Sequence, residues 1–135
     1  MAILNELQEK VAIYELNSMY FWSVDTNDVQ GYLSAWHPEG ISEAAYGSAK
    51  GHAELKERFV QMQNGMSRNK RHVVSNIVID LNGNQATQKC YLTVLEKEND
   101  AKVVATACYF DELIKTTDGW KFTRRKIQID PSFKM

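Results

Sequence analysis

The residues able to do chemistry here are polar side chains standing where the surrounding pattern asks for apolar ones. Asp25 is the first of them. It follows Leu4, Leu7, Val11, Tyr14, Ser18 and Phe21 on one stripe of alternating three and four spacing, the signature of a single helix face. A carboxylate on a core-facing stripe is costly unless it is hydrogen-bonded or paired. Either the helix ends there and Asp25 faces solvent, or it has a partner. His72 is the second. It lies in Lys70-Arg71-His72-Val73-Val74-Ser75-Asn76-Ile77-Val78-Ile79, where strand alternation puts Val73, Ile77 and Ile79 on one face. His72, Val74, Asn76 and Val78 then share the other, and both faces are apolar enough to be covered. A covered histidine standing alone is more often structural than catalytic. Paired with Asp25 it gains a role: the aspartate fixes one ring nitrogen as N–H, leaves the other free as a general base and stabilises the imidazolium formed.

Arg125 is the third, sharing a strand face with Thr123, Ile127 and Ile129 while Trp120, Phe122, Arg124 and Lys126 take the other. A guanidinium on that face either snorkels, forms a structural ion pair, or contacts a substrate. Tyr20 continues a neighbouring helix stripe through Ile13 and Leu16. Its phenol could donate to a substrate carbonyl or leaving hydroxyl, with core packing the simpler role. Five residues before Asp25, it sits about 140° around an ideal helix, so the two would border one pocket as different walls.

The elements that must position these residues read as helices first and strands second. A long helix runs from Leu4 to Asp25; Thr26-Asn27-Asp28 ends it and caps a second helix, Val29 to Trp36. His37-Pro38-Glu39-Gly40 reads as a loop, Ile41 to Ser48 as a strand or hairpin arm, and Gly51 opens a third helix to about Met62. From Lys70 the period changes to two, with strands over 70–81, 85–97, 102–115 and 120–129. The short breaks Asn82-Gly83-Asn84, Glu98-Asn99-Asp100 and Thr116-Thr117-Asp118-Gly119 predict consecutive antiparallel hairpins. The class is α+β.

Composition removes other readings. With 135 residues, 44% hydrophobic and 24% charged, the chain forms one domain over 1–135 that can bury a core. Lys plus Arg number 16 and Asp plus Glu 17, so there is no overall pull toward nucleic acid or anionic lipid. The N-terminal residues lack a basic start followed by an apolar run, and no apolar run approaches a membrane span, so a soluble cytoplasmic protein is expected. Cys90 and Cys108 read as reduced, buried thiols. His37 and His52 read as surface residues; scattered histidines without ligand spacing suggest no metal. No GxGxxG, P-loop or GxSxG is present, which argues against nucleotide cofactors and serine-type acyl transfer.

Tyr20 and Asp25 near the first helix's end, His72 on the first long strand, and the hairpin from Asp111-Glu112-Leu113 to Gly119-Trp120-Lys121-Phe122-Thr123-Arg124-Arg125 resemble one family. It is the SnoaL-like branch of the NTF2-like superfamily, nearest the lyases related to scytalone dehydratase, bile-acid 7α-dehydratase and hexachlorocyclohexane dehydrochlorinase. The resemblance implies an α+β NTF2-like cone: three N-terminal helices packed on a strongly curved, mostly antiparallel sheet, with a pocket inside. It implies no cofactor, no metal, a small-molecule substrate and a homo-oligomer, a trimer before a dimer. By position, His72 corresponds to the proton-abstracting base, Asp25 to its partner, Tyr20 to the contact for an electrophile or leaving group, and Arg125 to a pocket arginine. Tyr109 and Ile129 correspond to pocket-lining positions. A tyrosine at position 20, where the dehydrochlorinase has lysine, favours an oxygen function over a halide. The implied activity is a cofactor-free lyase or isomerase, foremost a dehydratase, acting on a small, largely apolar cyclic or aromatic compound. Alternatives are a non-catalytic ligand-binding or assembly subunit, such as a dioxygenase β-type subunit, and a polyketide cyclase.

Overall fold

The computed structural model describes residues 2–133, with side chains from Asn5 onward, so that of Leu4 lies outside the described residues. Its elements in order are α1 (Ala2–Asp25), α2 (Val29–Ser34), β1 (Trp36–Ala44), β2 (Gly47–Lys50), α3 (Gly51–Gln63), β3 (Lys70–Asn82), β4 (Gln85–Glu96), β5 (Val103–Thr116) and β6 (Gly119–Ile129). Asp28 begins α2 by accepting the Gly31 backbone N–H at 3.0 Å, as the Thr-Asn-Asp run predicted. The β3–β4 and β5–β6 hairpins turn at Gly83 (φ 63°) and Gly119 (φ 97°), backbone that side chains with a Cβ rarely adopt. The long strands begin and end within about one residue of their expected bounds.

Two local expectations change. The second helix stops at Ser34, and His37-Pro38-Glu39-Gly40 lies inside β1 rather than in a loop. Pairing with β6 jumps from Trp36↔Phe122 to Ile41↔Arg124, so these four residues bulge out of the ladder, a place that tolerates a proline. On α1, the buried side chains are Ile13, Asn17, Tyr20, Phe21, Ser23 and Val24, whereas Leu7, Val11 and Tyr14 of the expected core stripe are exposed, as are Met19 and Trp22. The helix is apolar on almost every side, so periodicity alone could not choose its inner face.

The long strands each change which side chains face inward. In β3 the register with β4 shifts between Ser75 and Val78, where Asn76 sits at φ 53°. That bulge turns His72 and Val74 inward before it and Ile77, Ile79 and Leu81 after it, leaving Val73 and Val78 exposed. In β6 the partners step from Glu112↔Arg124 to Leu113↔Phe122, and Thr123 is the extra residue. Trp120, Phe122 and Arg125 are consequently all buried on the same side, contrary to simple alternation.

The sheet is six-stranded in the order β2-β1-β6-β5-β4-β3. Its consecutive pairs are antiparallel hairpins, and β1 runs parallel to β6, which makes the sheet mixed. The strongly curved cone does not form: the sheet stays open, with β2 and β3 as its two edges. The reason is that helices, not closure, cover its apolar face and its long edge. Helix α1 lies along β3, where Tyr14 Oη donates to the Ile77 carbonyl at 3.3 Å and Asp25 accepts the His72 backbone N–H at 3.2 Å. These contacts engage the Ile77 carbonyl and the His72 N–H of the edge strand, where another strand would otherwise pair. At the other end, Arg58 on α3 is buried and donates to the Ser42 carbonyl at 2.9 Å, to Ser42 Oγ at 2.8 Å and to the Gly47 carbonyl at 2.6 Å, locking the β1–β2 hairpin. The core between helices and sheet is aromatic, built on Tyr20, Phe21, Tyr32, Trp36, Phe59 and Phe122.

Candidate active site

Asp25 is the last residue of a 24-residue helix, where a carboxylate meets the negative end of the helix dipole and needs donors. It finds three N–H···O contacts from one residue. The His72 backbone N–H donates to Oδ1 and Oδ2, both at 3.2 Å, and the His72 Nδ1–H donates to Oδ1 at 2.6 Å. The two side chains are 10% and 7% exposed. With the Nδ1 proton committed to Asp25, the lone pair of the neutral ring lies on Nε2. Burial holds the His72 pKa below its usual value, outweighing the hydrogen bond and charge of Asp25, which act to raise it. The ring is therefore neutral near pH 7, the state a general base requires. Ser67, buried in the turn between α3 and β3, places its Oγ 3.4 Å from Nε2, and Phe21 stacks on the ring with centroids 6.1 Å apart.

Beyond Phe21 lies the second group of expected site residues. Arg125 is fully buried, its guanidinium carbon 4.6 Å from the Tyr20 ring centroid, 4.5 Å from that of Tyr109, 5.4 Å from Phe21 and 4.0 Å from Phe122. It is not free. Asp111 grips it in a fork, Nε donating at 2.9 Å and Nη2 at 3.1 Å, and Nη2 also reaches Asn17 Oδ1 at 3.4 Å. Gln88 donates to Asp111 at 2.6 Å and to Asn17 at 3.1 Å, and Asn17 donates back to Gln88 at 2.7 Å. Burial opposes the Arg125 charge, but Asp111 beside it prevails and holds the group above its usual pKa. Burial likewise lifts the Tyr20 and Tyr109 phenols well above theirs, so both are protonated donors. Arg125 Nη1 is buried without a hydrogen-bond partner.

The expected site residues thus fall into two linked groups. Asp25 and His72 are joined directly; Tyr20, Tyr109 and Arg125 form an aromatic and cationic cluster, with Phe21 packed between it and His72. Ile129, paired with Ala107 near the end of β6, is half-buried and is not among the rings around Arg125. Asn17, Gln88 and Asp111 were missed, although period two places Gln88 between Ala86 and Cys90 and Asp111 between Tyr109 and Leu113. Those inward-facing polar positions were the available signal. Two open depressions of about 380 and 390 Å³ lie on the sheet around Lys89 and Phe110, and around Tyr91 and Cys108; neither is lined by Asp25, Ser67 or His72.

His37 Nδ1 accepts the Glu39 backbone N–H at 3.1 Å, and His52 Nε2 lies 3.0 Å from the Trp36 carbonyl. Among the described residues no group of three His, Cys, Asp or Glu side chains could hold a metal, and no helix is long and apolar enough to cross a membrane. Cys90 and Cys108 are both free; Cys90 is buried, which pushes its thiol up to about 11, and Cys108 is only half-buried.

No curated protein matches the sequence. A protein of unknown function with a cystatin-like fold from Nostoc punctiforme PCC 73102 is 35% identical, with a TM-score of 0.87 over 91% of this chain and 92% of that one. A candidate scytalone dehydratase from Novosphingobium aromaticivorans DSM 12444 is 22% identical, with a TM-score of 0.82 over 96% of this chain and 89% of that one. LinA is 18% identical, with a TM-score of 0.80 over 96% and 91%. The last two likenesses speak for the fold. Residues 5–126 match the model of the SnoaL-like domain, and the chain accordingly belongs to that family.

Proposed function

We propose that this chain, acting as one domain, is a cofactor-free lyase or isomerase, foremost a dehydratase for a small, largely apolar cyclic or aromatic compound. The observation that carries the reading is the 2.6 Å contact between His72 Nδ1 and Asp25 Oδ1 on a ring that burial keeps neutral. Nε2 removes a proton from carbon beside a carbonyl or similar group, and Asp25 stabilises the imidazolium formed. Departure of the hydroxyl group as water, carrying the proton handed on by the His72 imidazolium, gives the alkene, and return of that proton to carbon one position along gives the shifted double bond. The protonated phenol of Tyr20 is the donor assigned to the substrate oxygen, with Tyr109 and Arg125 behind it. This role requires Phe21 to yield, because its ring packs between His72 and that cluster. The test is a screen of hydroxylated and carbonyl compounds for elimination, followed by His72→Ala. General acid–base help is worth about 10² to 10⁴-fold, so the variant should lose at least roughly a hundredfold in rate. Full turnover in a folded His72→Ala protein would sink the base role.

The second reading, a non-catalytic ligand-binding or assembly subunit, draws on a different observation. Arg125 is neutralised by Asp111 and sealed among rings, the position of a structural ion pair rather than a substrate clamp. A polyketide cyclase would use the same dyad, and substrate trials separate it from a dehydratase.

A further inference from the structure

The mechanism above leaves one close contact unused. Ser67, His72 and Asp25 form a hydrogen-bonded line: Ser67 Oγ lies 3.4 Å from His72 Nε2, and His72 Nδ1 lies 2.6 Å from Asp25 Oδ1. Such a line is the arrangement of a nucleophilic triad, but the surroundings of Ser67 argue against that role. Its own N–H is bonded to the Met62 carbonyl at 2.9 Å and the following Arg68 N–H to the Gly65 carbonyl at 3.1 Å, so neither is available to an oxyanion. Ser67 is also only 5% exposed. What its hydroxyl can do is donate to the single lone pair that the base possesses.

We infer that Ser67 caps the base: in the resting protein its hydroxyl donates to His72 Nε2, and a substrate must displace that hydroxyl to present its own hydrogen to the same lone pair. The inference rests on the reading of His72 as the base. Ser67 is then a positioning residue, which keeps the imidazole oriented and its Nδ1–H tautomer in place until substrate arrives. The turn that carries it is short-range in construction. Asn64, Gly65, Ser67 and Arg68 bond back to Val60, Met62, Met62 and Gly65, and Asn69 at φ 56° closes it into β3. It can therefore shift without breaking the sheet. A donor on Nε2 also disfavours protonation there, in the same direction as burial. The charged groups acting on the ring are Asp25 from α1 and Lys70 from β3 itself; Phe21 contributes only its ring.

The experiment is nitrogen NMR of the three histidines, with His72 assigned by comparison with His72→Ala. In the wild-type protein the neutral His72 ring should carry its proton on Nδ1 and show Nε2 as a hydrogen-bonded acceptor; a proton on Nε2 overturns the proposal without any variant. Ser67→Ala should then raise the His72 titration midpoint by roughly 0.5 to 1 pH unit, and Ser67→Thr, which keeps the hydroxyl, should restore it. A midpoint unmoved in folded Ser67→Ala overturns the cap. The titration needs no substrate. Failure of the lyase reading would appear separately, as absent turnover by a wild-type protein whose His72 titrates as described.

Discussion

At the residue scale, the dyad makes its own pH signature. Burial places the His72 pKa below the usual value near 6.5, while Asp25 pulls it upward and loses. The base is thus already deprotonated at neutral pH, and kcat/KM should stay flat there and fall only as pH drops below about 6.5. Asp25→Asn removes the charge and weakens the hydrogen bond that raise the pKa, so the acid limb should move to still lower pH while the rate at pH 7 drops by about 10²-fold or more. An acid limb that moved upward would mean that Asp25 does not act on the ring. The same depressed pKa has a stability consequence: its contribution is complete above about pH 6.5 and is lost as pH falls through that value toward the folded-state pKa. Asp25 and His72 were legible because each broke an apolar pattern. Asn17, Gln88 and Asp111 break patterns too, but their mutual bonds join positions far apart in sequence, and only the folded sheet brings them to Arg125. That network predicts an asymmetry. Asp111→Ala, which strands a buried guanidinium, should cost about 3–5 kcal/mol in a denaturation experiment, whereas Asp111→Leu combined with Arg125→Met should recover most of the loss.

At the element scale, the strand bounds were readable and the faces were not. Alternation is a rule of period two, and one bulged residue inverts everything beyond it. Asn76 does this in β3, so His72 shares the inner face with Ile77 and Ile79 rather than with Val78; Thr123 does it in β6 for Arg125. Nothing in local composition marks Thr123, but Asn76 is a residue type that tolerates φ near +55°. Asn76→Gly should therefore leave stability nearly unchanged, while Asn76→Val, β-branched in left-handed backbone, should lose about 1–3 kcal/mol, read as a lower urea midpoint at constant slope. Equal stability of the two variants would mean the bulge does not depend on that backbone conformation. Helix α1 shows the complementary failure. Tyr14, Phe21 and Asp25 of the expected stripe do lie along β3, but Leu7 and Val11 of the same stripe face solvent, because apolar residues surround the helix.

At the scale of the whole molecule, an open sheet with helices on one face leaves the other uncovered, a consequence that the expected cone had hidden. Val73, Val78, Tyr91 and Phe110 are exposed there, across β3, β4 and β5. Neighbouring rows on this face differ in charge. Val78, Lys89, Phe110 and Lys126 lie side by side in register, and the next row is Asp80, Thr87, Glu112 and Arg124. A second copy that sets the row of Lys89 and Lys126 against Asp80 and Glu112 would bury the apolar residues and pair the charges. Both rows belong to one face, so the contact can be made about a two-fold axis, each row meeting the other row of its partner, or head to tail around a closed ring. The homotrimer expected from the sequence is the ring form of this contact. Light scattering should accordingly give a mass near three times 15.5 kDa, and Tyr91→Lys with Phe110→Lys should reduce it to one chain while leaving the His72 titration in place. A mass of two chains would favour the two-fold contact over the expected trimer, without touching the dyad. A single chain at high concentration would leave this face to another occupant and remove the argument for a ring.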